Sequence, residues 1–235
     1  MSSLGRYRRG VELDGLTTAH VADGCLRVGV PVRCGPAGLR PITPGTVFAG
    51  PAAPALHLGS VDRLLEAIDG ASPGDVLVVD DDGRLDEACL GDLVALEAAG
   101  AGLVGVVIWG LHRDTADLRR IGLPLVSLGA LPTGPLPQHV HRDRTVHVGE
   151  WPVAPGDLVV ADDDGVVLVD ADVALAVLQA ARSIRDAERA QAERISGGTG
   201  LREQLRFADY LARRADDPTW TFRQHLREVG GEIEA

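Results

Sequence analysis

The sequence predicts an α/β domain on a largely parallel sheet, and three observations carry that expectation. Short apolar runs, Val76-Leu77-Val78-Val79 and Gly105-Val106-Val107-Ile108-Trp109 among them, read as buried strands. Stretches of helical spacing alternate with them, as strands and crossover helices do in parallel sheets. The 235 residues suffice for one domain or one domain with an appendage, and a hydrophobic content of 45% with only 3% aromatics points to a core of Ala, Val and Leu.

In chain order, residues 12–29 read as a helix with Thr17 or Thr18 as its cap, followed by a Pro/Gly-rich stretch from Gly29 to Pro54 that holds a short apolar run, Thr46-Val47-Phe48-Ala49. Ser60 is the expected cap of a helix carrying Val61, Leu64, Leu65 and Ile68. Strand 76–79, helix 91–99, strand 104–109, a short helix after Asp114 and strand 124–128 continue the alternation. A long helix is expected from Asp170 to about Ile195, then a flexible break at Ser196-Gly197-Gly198-Thr199-Gly200. Leu201 to Arg214 reads as one more helix, and the tail around Pro218-Thr219-Trp220-Thr221-Phe222 is rich enough in aromatics to dock on its own domain or on a neighbouring subunit.

An echo runs through the chain. Pro73-Gly74-Asp75-Val76-Leu77-Val78-Val79-Asp80-Asp81-Asp82-Gly83 recurs as Pro155-Gly156-Asp157-Leu158-Val159-Val160-Ala161-Asp162-Asp163-Asp164-Gly165. Triple aspartate invites a calcium reading, but neither copy has EF-hand spacing, and Asp-Gly after an apolar strand signals a turn.

Composition excludes several chemistries. All 23 basic residues are arginines; without a lysine there is no Schiff-base aldolase, no pyridoxal phosphate anchor and no Walker phosphate loop. No Gly-rich nucleotide fingerprint follows a predicted strand, so neither a nicotinamide nor a methyl-donor site is expected. A formal net charge of −11 argues against nucleic acid or anionic membrane as the main partner. Neither a signal-peptide pattern nor a run of transmembrane length is present, and Cys25, Cys34 and Cys89 lack metal-ligand spacing, so reduced thiols in a cytoplasmic protein are expected.

The most informative arrangement is Asp92, twenty residues, then Arg113-Asp114. Asp92 opens a helix-like run after Gly91, and the Arg-Asp pair follows an apolar strand. Folding can therefore bring two carboxylates, a guanidinium and the first-turn N–H groups of Leu93 and Val94 to one sheet edge, where they suit a hard metal ion and a small anionic keto acid. Each part also has a plain reading, Asp92 and Asp114 as helix caps and Arg113 as a surface residue. His112-Arg113-Asp114 mimics a kinase catalytic loop, yet no lysine serves ATP and no asparagine follows. His139 and His141, in a Pro-rich stretch beside Arg142 and Arg144, read as a solvated loop in preference to metal ligands.

Gly91-Asp92-Leu93-Val94, Gly105-Val106-Val107-Ile108-Trp109-Gly110 and Arg113-Asp114, together with both copies of the echo, resemble the RraA-like family over roughly residues 15 to 195. That family includes metal-dependent 4-hydroxy-4-methyl-2-oxoglutarate / 4-carboxy-4-hydroxy-2-oxoadipate aldolases. The resemblance implies a swivelling β/β/α domain at 1–195 and a homotrimer or homohexamer with sites between subunits; the C-terminal helical extension at 196–235 departs from the core family domain and is expected to pack on its own or a neighbouring subunit. It implies Asp114 as ligand of Mg²⁺ or Mn²⁺, mostly through ordered waters, Arg113 holding the keto acid, Gly91, Leu93 and Val94 at the substrate with the Leu93 and Val94 N–H groups on its carboxylate, and Asp92 orienting metal-bound water or assisting proton transfer. The implied reaction is retro-aldol cleavage of a 4-hydroxy-2-oxo diacid to pyruvate and a second keto acid, with oxaloacetate decarboxylation through the same enolate. The alternatives are a non-catalytic regulator of ribonuclease activity and another lyase or tautomerase on the same scaffold.

Overall fold

The computed structural model describes residues 11–136 and 145–230. Its first part runs α1 (Thr18–Val28), β1 (Arg33–Cys34), β2 (Arg40–Pro41), β3 (Phe48–Leu56), α2 (Asp62–Gly70), β4 (Val76–Asp80), β5 (Ala88–Leu90), α3 (Asp92–Gly100), β6 (Gly105–Trp109), β7 (Leu111–His112), α4 (Thr115–Ile121) and β8 (Leu125–Ser127). There follow β9 (His147–Val148), β10 (Trp151–Pro152), β11 (Leu158–Asp162), β12 (Gly165–Val169), α5 (Ala174–Ser196), α6 (Leu201–Gln204), α7 (Phe207–Asp216) and α8 (Phe222–Val229). No helix among the described residues is long and apolar enough to cross a membrane.

One eight-stranded sheet, ordered β1-β12-β11-β3-β4-β6-β8-β2, organises the chain. The expected parallel sheet is its β3-β4-β6-β8 half; β1, β12, β11 and β2 pair antiparallel. The sheet curls, with helices on its outside. Period-two alternation does the sorting: Leu77 and Val79 of β4 pack with Leu64, Ile68, Ala95 and Leu118 of α2, α3 and α4, whereas Val76 and Val78 face a helix-free interior with Phe48, Val107, Val159 and Leu168. A third cluster joins α1 and α5 to the outer face of β11 and β12.

The longest departure from expectation is β3, nine residues through Pro51 and Pro54 where the sequence suggests a four-residue run in a Pro/Gly-rich loop. Its N-terminal half, to Pro51, pairs with β11, and its second half, from Ala52, pairs with β4. Each half has one ladder, so two missing N–H groups remove few bonds and the usual bar to proline in a central strand is relaxed. Helix α1 begins at Thr18, capped by Thr17 in a box with His20, because Asp14 and Gly15 adopt positive φ in a turn just before it. At α2 the cap position falls to Val61, one residue later than expected, and Ser60 Oγ accepts from the Asp62 N–H at 3.4 Å.

The echo is structural. In both copies Pro-Gly turns the chain: the Asp75 N–H donates to the Ser72 carbonyl (3.0 Å) and that of Asp157 to Ala154 (3.1 Å), with positive φ at Gly74 and Gly156. At the far ends Asp80 and Asp162 are buried and accept from the N–H groups of Asp82 and Asp164, each at 2.9 Å. Both ends are aspartate-anchored turns. The second makes the β11–β12 hairpin, whereas the first leads into a loop because β4 pairs with the parallel β6.

Helix α5 ends at Ser196, but the single helix expected over 201–214 is two. Arg206 adopts φ 49° between α6 and α7, and the Leu205 carbonyl accepts from His225 Nε2 (2.8 Å). Phe207, Tyr210 and Phe222 pack tilted or edge-to-face, His225 stacks on Phe222, and Trp220 lies under the Arg213 guanidinium at 3.5 Å. The aromatic residues of the tail are thus used largely within the tail.

Candidate active site

The candidate site lies at the C-terminal ends of parallel strands, where helix-leading loops converge. Strand β5 delivers Gly91 and the first turn of α3; β7, hydrogen-bonded parallel to β5, delivers Arg113 and Asp114. The Arg113 N–H donates to the Leu90 carbonyl at 3.0 Å, which ties the two segments one residue from the site. Residues distant in sequence therefore meet: Gly91, Asp92, Leu93, Val94 and Arg113 line one cavity of about 180 Å³, together with Val61 and Pro135.

Asp114 caps α4 in the left-handed region, φ 59° and ψ 38°, a conformation costing a non-glycine residue of order 1 kcal/mol. Its carbonyl accepts from the N–H groups of Asp117 (2.9 Å) and Leu118 (3.0 Å), so the backbone starts the helix while the side chain makes no capping bond. The carboxylate turns instead toward Arg113, whose Nε lies 3.2 Å from Oδ2. The plain reading of Asp114 as a side-chain cap is thereby set aside.

Gly91 makes this approach possible. Its backbone is extended (φ −132°), open to any residue, but a Cβ there would overlap Asp114 Oδ2 and lie 3.1 Å from Arg113 Nε. The Leu93 N–H, expected as an open donor, is held by Asp92 Oδ1 at 2.8 Å. Leu93 lines the cavity at its exposed rim, with 75% of its surface open to solvent. His112 is a buried support: Nδ1 meets Ser127 Oγ (2.7 Å) and Nε2 meets Thr115 Oγ1 (2.9 Å), which fixes the first turn of α4. Burial, then the nearby Arg119 charge, pushes its pKa below the usual histidine range.

Beside the site sits a cluster that sequence reading missed. His57 from the end of β3, Asp81 after β4 and Glu87 before β5 have fully buried side chains, with His57 Nδ1 donating to Asp81 Oδ1 at 2.8 Å. Desolvation pushes the Asp81 carboxyl pKa upward. The three donor groups lie within 4.8 Å of one another, a spacing a metal ion could use. However, Arg84 already pairs with Glu87, so an arginine and a histidine face the two carboxylates. Asp81 stood in the triple aspartate, whose turn signal masked it; Glu87 and His57 carry no local motif. His139 and His141 lie outside the described residues.

The Asp114 carboxylate fits a hard cation in donor type: it is an oxygen donor about one-third exposed, in a glycine-made recess and free of helix-capping duty, with Arg113 Nε on one of its oxygens. Comparison with known proteins settles the lineage. The family model for RraA-like proteins, described as Aldolase/RraA, matches residues 18–168.

The chain belongs to the RraA-like family.

A curated relative from Halalkalibacterium halodurans, named "Putative 4-hydroxy-4-methyl-2-oxoglutarate aldolase", is 30% identical over 161 residues, 67% of this chain and 76% of that one. Among solved RraA-like folds, an uncharacterized protein from Pseudomonas syringae pv. tomato superposes with TM-score 0.70 at 29% identity, covering 81% of this chain and 92% of that one. RraAS2 of Streptomyces coelicolor, described as an unusual member of the RNase ES inhibitor RraA protein family, gives 0.67 at 28% identity over 77% and 95%. The RraA-like match ends at Leu168 in β12, so α5 to α8 follow the matched segment.

Proposed function

We propose that this RraA-like protein is a divalent-metal-dependent lyase that cleaves a 4-hydroxy-2-oxo diacid to pyruvate and a second keto acid through a pyruvate enolate. Oxaloacetate decarboxylation, which passes through the same enolate, is the accompanying activity. The observation that supports it best is the packing of Arg113-Asp114 against Gly91 at the first turn of α3, around a cavity sized for a small 2-oxo acid.

In this reading Asp114 holds Mg²⁺ or Mn²⁺, with water completing the shell. Bound there, the cation supplies Lewis acidity to the substrate's keto group. The chain's own residues do the rest. Arg113 offers a planar fork that grips the keto acid and offsets the negative charge as the enolate develops. First-turn N–H groups of α3 receive the pyruvate carboxylate at the positive end of the helix. Asp92 now occupies the Leu93 N–H; a substrate carboxylate taking that place leaves Asp92 to accept or return a proton. A Schiff base is excluded on composition, since the chain has no lysine.

Helix α3 is apolar on its outer side as well, with Leu93 75% and Leu96 51% exposed beside the site. This supports a homotrimer or homohexamer in which a second copy covers that face; a one-chain mass by light scattering would end that part of the reading.

Pyruvate release from oxaloacetate and a panel of 4-hydroxy-2-oxo diacids, with and without EDTA, is the test. Turnover lost in EDTA and restored by Mg²⁺ or Mn²⁺ is expected; absent or EDTA-insensitive turnover would turn the assignment toward a regulator of ribonuclease activity, the reading that similarity to RraAS2 favours. Turnover of the keto acid without pyruvate release would favour a tautomerase. A second expected result concerns Arg113→Lys, which keeps the charge and loses the fork. Its kcat/KM on oxaloacetate should fall about 10²-fold; near-normal kcat/KM would remove the bidentate grip from the mechanism.

A further inference from the structure

The buried cluster beside the site has no role in the mechanism above, and its geometry supplies one. Glu87 is fully buried, and both of its carboxylate oxygens are engaged. Oε1 accepts from Arg84 Nη1; Oε2 accepts from the backbone N–H of Leu136. Arg84 is itself pinned by Asp86, Nε to Oδ1 and Nη2 to Oδ2, each at 3.0 Å. One residue on, the Ala88 N–H donates to the Thr133 carbonyl at 2.9 Å. The segment 84–88 therefore holds the segment 133–136 at two points.

What lies between those points is the wall behind Arg113. Gly134 is close enough that a Cβ there would sit 2.5 Å from Arg113 Nη1, and Pro135 lines the same cavity as Gly91, Asp92 and Arg113. Among the described residues Asp114 is the ion-pair partner of Arg113, through Nε, so backbone packing at Gly134 sets where the outer end of the fork lies. A buried charge is a poor source of stability, because desolvation offsets most of its pairing energy. It is a good source of directional constraint, since a charge-assisted bond to a backbone N–H fixes that backbone closely.

We propose that Glu87 is a positioning residue for Arg113: its carboxylate, held by Arg84, clamps the Leu136 N–H so that Gly134 and Pro135 set the guanidinium against the keto acid where enolate charge develops. The proposal rests on the lyase reading in assigning Arg113 to the keto acid. His57 and Asp81 complete the buried ring around Glu87, with His57 Nδ1 3.8 Å from Oε1.

Oxalate, a planar dianion that mimics the enolate of pyruvate, is the probe, measured by titration calorimetry on the intact protein in excess Mg²⁺. Glu87→Gln, which still accepts from Arg84 but cannot hold both partners, should weaken oxalate binding about tenfold while Mg²⁺ affinity stays unchanged. Leu136→Pro should do the same from the other end. It removes the donor N–H but also fixes φ and replaces the side chain of a residue 38% exposed. Leu136→Ala, which keeps the N–H, is therefore its control and should bind oxalate like the wild type. The pair keeps the proposal testable if a buried glutamine impairs folding, and an equal loss in Leu136→Ala would overturn it. In an Arg113→Ala background Glu87→Gln should cost nothing further, as expected for two residues acting through one contact. Wild-type affinity in both Glu87→Gln and Leu136→Pro would overturn the inference alone, as would full additivity with Arg113→Ala. Absence of oxalate binding by the wild-type protein would sink the lyase reading and the inference with it. A metal ion retained in Asp114→Asn and lost in His57→Ala would also overturn it, by making the cluster a metal site.

Discussion

Asp114→Ala is expected to lose pyruvate release altogether, a fall of at least about 10³-fold in kcat/KM, or roughly 4 kcal/mol of transition-state stabilisation. The fold should survive. The carbonyl of residue 114, not its side chain, starts α4, and the carboxylate faces Gly91 and Arg113 instead of the core. Alanine is less at ease than aspartate at φ 59°, so a loss of about 1 kcal/mol in stability is expected from the backbone alone. Asp114→Asn separates the two effects, because asparagine tolerates the left-handed region and lacks only the charge. It should melt like the wild type and be as inactive as the alanine variant. Full activity in either variant would refute Asp114 as the metal ligand.

Gly91→Ala is the second large effect, and it tests geometry without removing any functional group. The φ of −132° is open to alanine, so no backbone penalty arises. The new methyl would meet Asp114 Oδ2, Arg113 Nε and Arg113 Cγ. Both side chains are more than one-third exposed and can swing outward, which holds the cost in stability below about 1 kcal/mol. The same swing separates carboxylate from guanidinium and should lower kcat/KM about 10²-fold. Denaturation curves and oxaloacetate kinetics on one preparation check both halves. A Gly91→Ala protein that is stable and fully active would mean that Arg113 and Asp114 need not meet at Gly91 for function.

Much of this was legible in the chain. The alternation of apolar runs with 3–4 spacing located α2, α3, β4, β6 and β8, because a two-sided buried strand must be apolar throughout and an outer helix apolar on one stripe. Gly91-Asp92 and Arg113-Asp114 could be singled out because one opens an apolar helical run and the other follows an apolar strand; that they meet through β5 and β7, a small parallel sheet apart from the main one, was not legible. Strand β3 was less legible, since two prolines argue against a central strand until it is seen that each half carries a single ladder. The split between α6 and α7 was hidden too, as it depends on His225 reaching back to a carbonyl 20 residues earlier.

Residue types alone determined that this protein has no lysine chemistry, that it forms an α/β sheet with an Ala/Val/Leu core, and that its polar candidates sit at strand ends. Local pattern encodes those properties, because burial and backbone pairing act every two or four residues. Tertiary structure alone decided that the Asp114 side chain turns away from its own helix, that Gly91 leaves room for it, and that Glu87 reaches Leu136 across 49 residues of chain. Such contacts depend on where the backbone closes on itself, and a buried carboxylate's bond to a distant backbone N–H leaves no periodic trace in the sequence.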